Sequence, residues 1–230
     1  MGAQWKHAGR LASSAAKGKV FSKLAKEIII AAKAGADPAA NARLRAAVEA
    51  AKKASMPRDT LERAIKKGAG LLDEPTNYET VVYEGFGPHR VPVIVECLTD
   101  NNKRTSVNIR HHFRNGQLSA VAWDFTHVGI VDATPPAGAD PEEAAIEAGA
   151  QDFEPDGEGG FRFYTETGDL DAVTKSLSAR EWTVATMRLG WRPKNPIKVS
   201  DPAARSEVEQ FLAEVDDDDD VQHIYVGLDG

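Results

Sequence analysis

From Phe21 to Ala34 the apolar residues Phe21, Leu24, Ala25, Ile28, Ala31 and Ala32 recur at three- and four-residue spacing, the period of an amphipathic helix. Gly35 offers its C-terminal stop, and Asp37-Pro38 offers a capping side chain followed by a first-turn proline. A second helix is therefore predicted as far as about Ala54, over Leu44, Val48 and Ala51. Met56-Pro57 breaks it. A third helix, from about Arg58 to Lys67 with Leu61, Ala64 and Ile65 inward, stops at Gly68. Three short helices with a tight link between the last two predict a small bundle of helix-turn-helix type. The opening residues, small, polar and basic around Trp5, predict an arm or a frayed helix.

After Gly70 the period changes. Glu79 to Glu84 and Val91 to Leu98 are rich in β-branched and aromatic residues and flank Gly85-Phe86-Gly87-Pro88, which predicts two strands joined by a turn. A helix from about Lys103 to Arg114 follows, capped by Thr99-Asp100-Asn101, and Val121 to Phe125 and Gly129 to Asp132 resume strand. Beyond the Thr134 to Asp140 linker, helices are predicted at Pro141 to Ala148, Leu170 to Arg180 and Pro202 to Val215. Strands are predicted at Asp152 to Glu154, Phe161 to Thr165, Thr183 to Leu189 and Val221 to Val226. One terminal strand cannot bury itself alone, so it returns to a sheet already begun, which makes the middle unit an insertion. The fold class is α+β in three domains: 1–75 helical and basic, 76–132 plus 200–230 α+β, and 133–199 an inserted α+β unit.

Charge divides the chain in the same place. Residues 1–70 hold 15 Lys and Arg against 5 acids, and residues 71–230 hold 13 against 30, so the net charge of −7 conceals a balance of +10 beside one of −17. The basic part suits a polyanion and the acidic part does not. The expected nucleic-acid-binding residues are Lys6, Arg10, Lys17, Lys19, Lys23, Lys26, Lys33, Arg43, Arg45, Lys52, Lys53, Arg58, Lys66 and Lys67. Their heads would release counterions from phosphates. Lysine outnumbers arginine by 10 to 5 in this part, which favours backbone or shape recognition over bidentate base readout. The run Asp216 to Asp220 lacks the ligand spacing of an EF-hand and is expected to be a solvated loop that keeps nucleic acid off its face.

Little in the sequence points to catalysis. Gly85-Phe86-Gly87-Pro88 lacks the Lys-Ser/Thr ending of a P-loop. His111, His112 and His127 have no matched second ligand pair, and adjacent histidines on a helix diverge by about 100°. No nucleophile elbow or catalytic cysteine context is present. The expectation is a non-enzyme without cofactor, metal or small-molecule substrate; a hydrolase would need a carboxylate cluster with a metal or a nucleophile. The lone Cys97, in an apolar run, reads as a core residue of a cytoplasmic protein. Neither a secretory signal nor a membrane span is expected.

An ordered set of motifs adds to this. It includes Trp5-Lys6, the run Lys17 to Leu24, Asp37-Pro38, Asn41 with Arg43-Leu44-Arg45, Met56-Pro57 with Asp59, and Ala64 to Gly68. Tyr83 to Pro88, Glu96 to Asn101 with Arg104-Thr105, Ala148-Gly149-Ala150 and Asp218 to Gln222 continue it. In this order, over nearly the whole chain, the sequence resembles the YebC/PmpR family. The resemblance implies an N-terminal helical domain and two α+β domains, the third inserted in the second. It implies a DNA-binding transcriptional regulator or, as in relatives that include a mitochondrial branch, a translational activator or ribosome-associated factor that eases synthesis through proline runs. The partners implied are DNA, or ribosomal or transfer RNA with the ribosome, and neither role is enzymatic.

Overall fold

The computed structural model describes residues 14–72, 77–157 and 159–229, with side chains from residue 17 onward. The helices are α1 (Ser14–Ala32), α2 (Ala42–Lys53), α3 (Arg58–Gly68), α4 (Asn102–His112), α5 (Pro141–Ala148), α6 (Leu170–Ala179) and α7 (Pro202–Asp216). The strands are β1 (Glu79–Phe86), β2 (Pro92–Thr99), β3 (Gln117–Leu118), β4 (Phe125–Thr134), β5 (Asp152–Pro155), β6 (Phe161–Thr165), β7 (Thr183–Pro193) and β8 (Val221–Val226). They form two four-stranded sheets, ordered β3-β1-β2-β8 and β5-β6-β4-β7. Two compact units result: one holds residues 24–72 and 127–190, the other residues 14–23, 77–126 and 191–229.

The first sheet is antiparallel throughout, with β1 and β2 in register from Glu79 opposite Thr99 to Phe86 opposite Pro92. The terminal strand β8 pairs with β2, Val93 facing Val226, so the chain closes at Val221 a sheet it began at Glu79, as expected from the sequence. The intervening segment builds the other sheet. Its two ends meet: the Lys194 backbone N–H donates to the Asp124 carbonyl at 2.9 Å and the Asn195 amide to the Asp124 carboxylate at 3.0 Å. On one face of the first sheet Val93, Val95 and Cys97 pack with Ile109 and Phe113 and with Val208, Phe211, Leu212 and Val215 of α7. A Cβ on Gly85 would overlap the Phe113 ring, and one on Gly87 the Phe211 ring. Those two rings meet edge to face at 5.2 Å. The glycine pair is thus a packing requirement, with the strand continuing through Phe86 and the turn made by His89 and Arg90 at positive φ.

The second sheet packs Val131, Ala133 and Phe163 against Ala144, Ala145, Ala148, Val173, Leu177 and Trp182. Asp132, the residue between Val131 and Ala133, alternates to the other face. There it accepts from Arg162 at 2.7 Å, Thr186 at 2.7 Å and Arg188 at 2.9 Å.

Several boundaries differ from expectation. Asp37 caps only a single turn, its carboxylate accepting from the Ala39 N–H, and α2 begins five residues later, at Ala42 behind Asn41. Asn41 caps the Leu44 N–H at 3.0 Å, while its Nδ2 donates to the Ala31 and Gly35 carbonyls at 2.7 and 2.9 Å, binding the end of α1 to the start of α2. The third helix ends at Gly68, as expected. That last residue must be glycine because a Cβ there would overlap the Ile29 carbonyl of α1, while the left-handed closure falls two residues on, at Gly70 with φ 71°. Val121 to Phe125 is not a strand: Ala122 to Asp124 form a 3-10 turn, and the strand begins at Phe125.

Candidate nucleic-acid interface

Lys6 and Arg10 lie outside the described residues. On α1, Lys19 and Lys23 stand four residues apart and therefore on one face. They turn toward the acidic run: Lys19 Nζ lies 2.5 Å from the Asp217 carboxylate and 3.2 Å from its carbonyl. Lys23 Nζ donates to the Asp216 carbonyl at 2.6 Å and carboxylate at 3.2 Å. Lys26 is buried, while Lys17 and Lys33 are exposed.

The α2–α3 link is a Schellman closure. The Met56 N–H reaches the Ala51 carbonyl and the Ser55 N–H the Lys52 carbonyl, both at 2.9 Å, with Ser55 left-handed at φ 61°. Met56 is buried and anchors the turn. Lys52 and Lys53 end α2 just before it; Arg58 starts α3 just after it, and Lys66 and Lys67 end that helix. Several of these cations have partners. Lys52 pairs with Glu49 at 2.8 Å, Arg43 with Glu27 at 3.3 Å, and Arg58 with Glu62 at 2.7 Å. The Arg58 hydrogen bond and charge, aided by Lys66, hold the Glu62 carboxyl below its ordinary range. Arg45 donates to the Pro38 and Ala39 carbonyls. Lys53 and Lys66 are exposed, and no carboxylate among the described residues pairs with either. Lys67 is half-buried.

The acidic run is not the solvated loop expected from its composition. Asp216 and Asp220 are buried. Asp220 accepts from Arg104 and Thr105, Asp218 lies 3.2 Å from His112 Nε2, and Asp217 and Asp216 hold the two α1 lysines. A run of five like charges folds here because cations from α1 and α4 surround it. Sequence reasoning missed this because the partners lie more than a hundred residues away. His111 and His112 face each other edge-on at 6.3 Å, and among the described residues no three His, Cys, Asp or Glu side chains cluster as a metal site would require.

Residues 3–71 match the family described as TACO1/YebC protein N-terminal domain, and residues 78–228 that described as TACO1/YebC second and third domain. The chain is similar to a probable transcriptional regulatory protein of Polaromonas sp., 58% identical with both chains fully covered. It is 59% identical to one of Pseudomonas syringae pv. syringae, again over the whole of both chains, and 49% identical to one of Bdellovibrio bacteriovorus, over 99% of this chain and all of that one. Among solved structures it resembles a conserved hypothetical protein of Aquifex aeolicus at a TM-score of 0.83 and 37% identity, covering 99% of this chain and 96% of that one.

Proposed function

The chain belongs to the TACO1/YebC family, and on that premise we propose that it is a non-enzymatic regulator of gene expression that binds duplex DNA through α2 and α3. The observation that carries this reading is the Schellman-closed link that sets Lys52 and Lys53 at the end of one helix against a basic third helix with Lys66 exposed. A short second-to-third helix turn with cations on both sides is the arrangement by which a helix is laid along phosphates. The names of the relatives, probable transcriptional regulatory proteins, agree with it.

A second reading, RNA in place of DNA with the ribosome as its setting, is favoured by the exposed lysines that no carboxylate among the described residues holds. Lys17, Lys33, Lys53 and Lys66 are point charges that follow a backbone and do not read base edges. The deciding experiment sediments the protein from lysate at two salt concentrations, with and without ribonuclease, beside duplex binding against a scrambled competitor. Ribosome co-migration abolished by K52E/K53E/K66E/K67E selects RNA; sequence-selective, salt-sensitive duplex binding selects DNA.

A further inference from the structure

The acidic balance of residues 71–230 hides an exception: from Asn101 to Trp123 there is no acid, while Lys103, Arg104, Arg110 and Arg114 add four cations. The fold arranges them. Thr105, Ile109 and Phe113 are buried, which fixes the rotation of α4 and of the 3-10 turn that extends it. Residues 103, 107, 110 and 114 then follow one another at helical spacing along the outward side, over about 16 Å. All four are exposed, Val107 by 63%. Arg104 turns inward to Asp220 and is spent there. Among the described residues no carboxylate pairs with Lys103, Arg110 or Arg114; the Arg114 guanidinium meets only His111, at 3.4 Å. In this respect the stripe differs from Lys19, Lys23, Arg43, Lys52 and Arg58, whose charges are already matched.

We propose that this outward stripe of α4, Lys103, Val107, Arg110 and Arg114, is a second nucleic-acid surface and that its occupant is an RNA strand. The charge pattern suits a polyanion. The exposed valine between the cations selects among polyanions: a B-form backbone presents phosphates alone at this spacing, whereas single-stranded or looped RNA turns ribose and base faces outward, where an apolar side chain packs between phosphate contacts. The inference rests on the RNA reading above and assigns it a site on the other compact unit.

The test is fluorescence anisotropy of a labelled single-stranded RNA and of a DNA duplex with the full chain, across a salt series. The proteins compared are the wild type, K103E/R110E/R114E, V107S and the α2–α3 variant K52E/K53E/K66E/K67E. The three cations project into solvent, so thermal midpoint and near-ultraviolet circular dichroism of the charge variant should match the wild type. Its RNA affinity should fall by at least about tenfold at 0.1 M salt and its salt slope should flatten by about two, as lost phosphate contacts require. V107S should weaken RNA several-fold with the slope unchanged. Wild type that binds no RNA removes the RNA reading itself. RNA binding that K52E/K53E/K66E/K67E weakens and K103E/R110E/R114E leaves intact overturns the α4 assignment alone. Equal loss of RNA and duplex overturns the choice of RNA.

Discussion

Arg104 holds Asp220 by both ends of the carboxylate, Nη2 lying 2.9 and 2.8 Å from its two oxygens and Nε 3.3 Å from the second. The Thr105 hydroxyl adds a contact at 2.8 Å, and the backbone of Asp220 accepts from Leu98 at 2.7 Å, so this one residue ties α4 to the end of β2 and to the start of β8. Asp220→Ala takes the carboxylate acceptor from the Arg104 guanidinium, which keeps only Asp100 and Thr99, and turns the buried Thr105 hydroxyl back on Thr99 and the Asn101 carbonyl. Loss of about 1–3 kcal/mol is expected, the partial exposure of Arg104 keeping it short of a fully buried pair. Urea unfolding of D220A and D220N measures it, with the amide recovering part of the loss because one oxygen remains.

Asn41 performs two separable jobs, capping α2 through its oxygen and binding the end of α1 through its nitrogen. Asn41→Asp keeps the cap and loses both donors; Asn41→Ala loses everything. The expected order of stability is therefore wild type, then N41D, then N41A, with about 1–2 kcal/mol between the extremes. Equal loss in the two variants would show that the α1 carbonyls, not the cap, dominate.

These contacts mark how far the sequence could be read. Period, Gly and Pro gave the helices, the strand runs and the return of Val221 to Val226, because each depends on neighbours a few residues away. Where a distant group intervenes, local signals fail. Val121, Trp123 and Phe125 alternate as a strand would, yet the Glu84 carboxylate accepts the N–H groups of Val121 and Ala122 at 2.8 and 2.7 Å and bends them into a turn. Asp37-Pro38 has the better local cap signal, but Asn41 wins because the α1 carbonyls are within its reach. In the candidate site, composition located the basic helices. It could not show that Lys19 and Lys23 are engaged with Asp217 and Asp216, nor that the acidic half carries a basic stripe.

Ser55 occupies the left-handed position of the α2 closure, where a Cβ costs about 1 kcal/mol and glycine nothing. Ser55→Gly is expected to raise stability by several tenths to about 1 kcal/mol, the gain reduced by the greater freedom of glycine in the unfolded chain. A rise in thermal midpoint with nucleic-acid affinity unchanged would show that the turn is strained for no functional reason; a rise with lower affinity would tie the strain to binding.

Asp132 gives the inserted sheet a pH signature. Burial alone would push its carboxyl up, but the charges of Arg188 and Arg162 and their hydrogen bonds hold it well below the ordinary carboxylate range. A carboxyl depressed in the fold contributes stability that is complete above its unfolded value, near 3.9, and lost as pH falls through the lower folded one. Wild type should therefore lose stability steeply below about pH 4. Asp132→Asn should be less stable at pH 7 and lose less on acidification. The difference between the two urea midpoints, followed from pH 7 to pH 3, checks the sign: it must narrow as pH falls.

The lysines on α1 offer the sharpest test of whether the N-terminal charge serves nucleic acid at all. Lys19 and Lys23 are held by Asp217 and Asp216, so a phosphate that recruits them must displace a carboxylate. The exposed pair should yield first: Asp217 is 66% exposed in its side chain, whereas Asp216 is 5% exposed and its carbonyl also binds Lys23. If Lys19 contacts nucleic acid, Asp217→Asn removes the competitor and tightens binding by a few-fold, while Lys19→Gln weakens it by a similar factor and reduces the salt slope by about one. If the pair is only structural, both substitutions lower stability by no more than about 1 kcal/mol and leave affinity and slope where they were. Combining D217N with K19Q separates the cases, since tightening that passes through Lys19 must vanish when the lysine is gone.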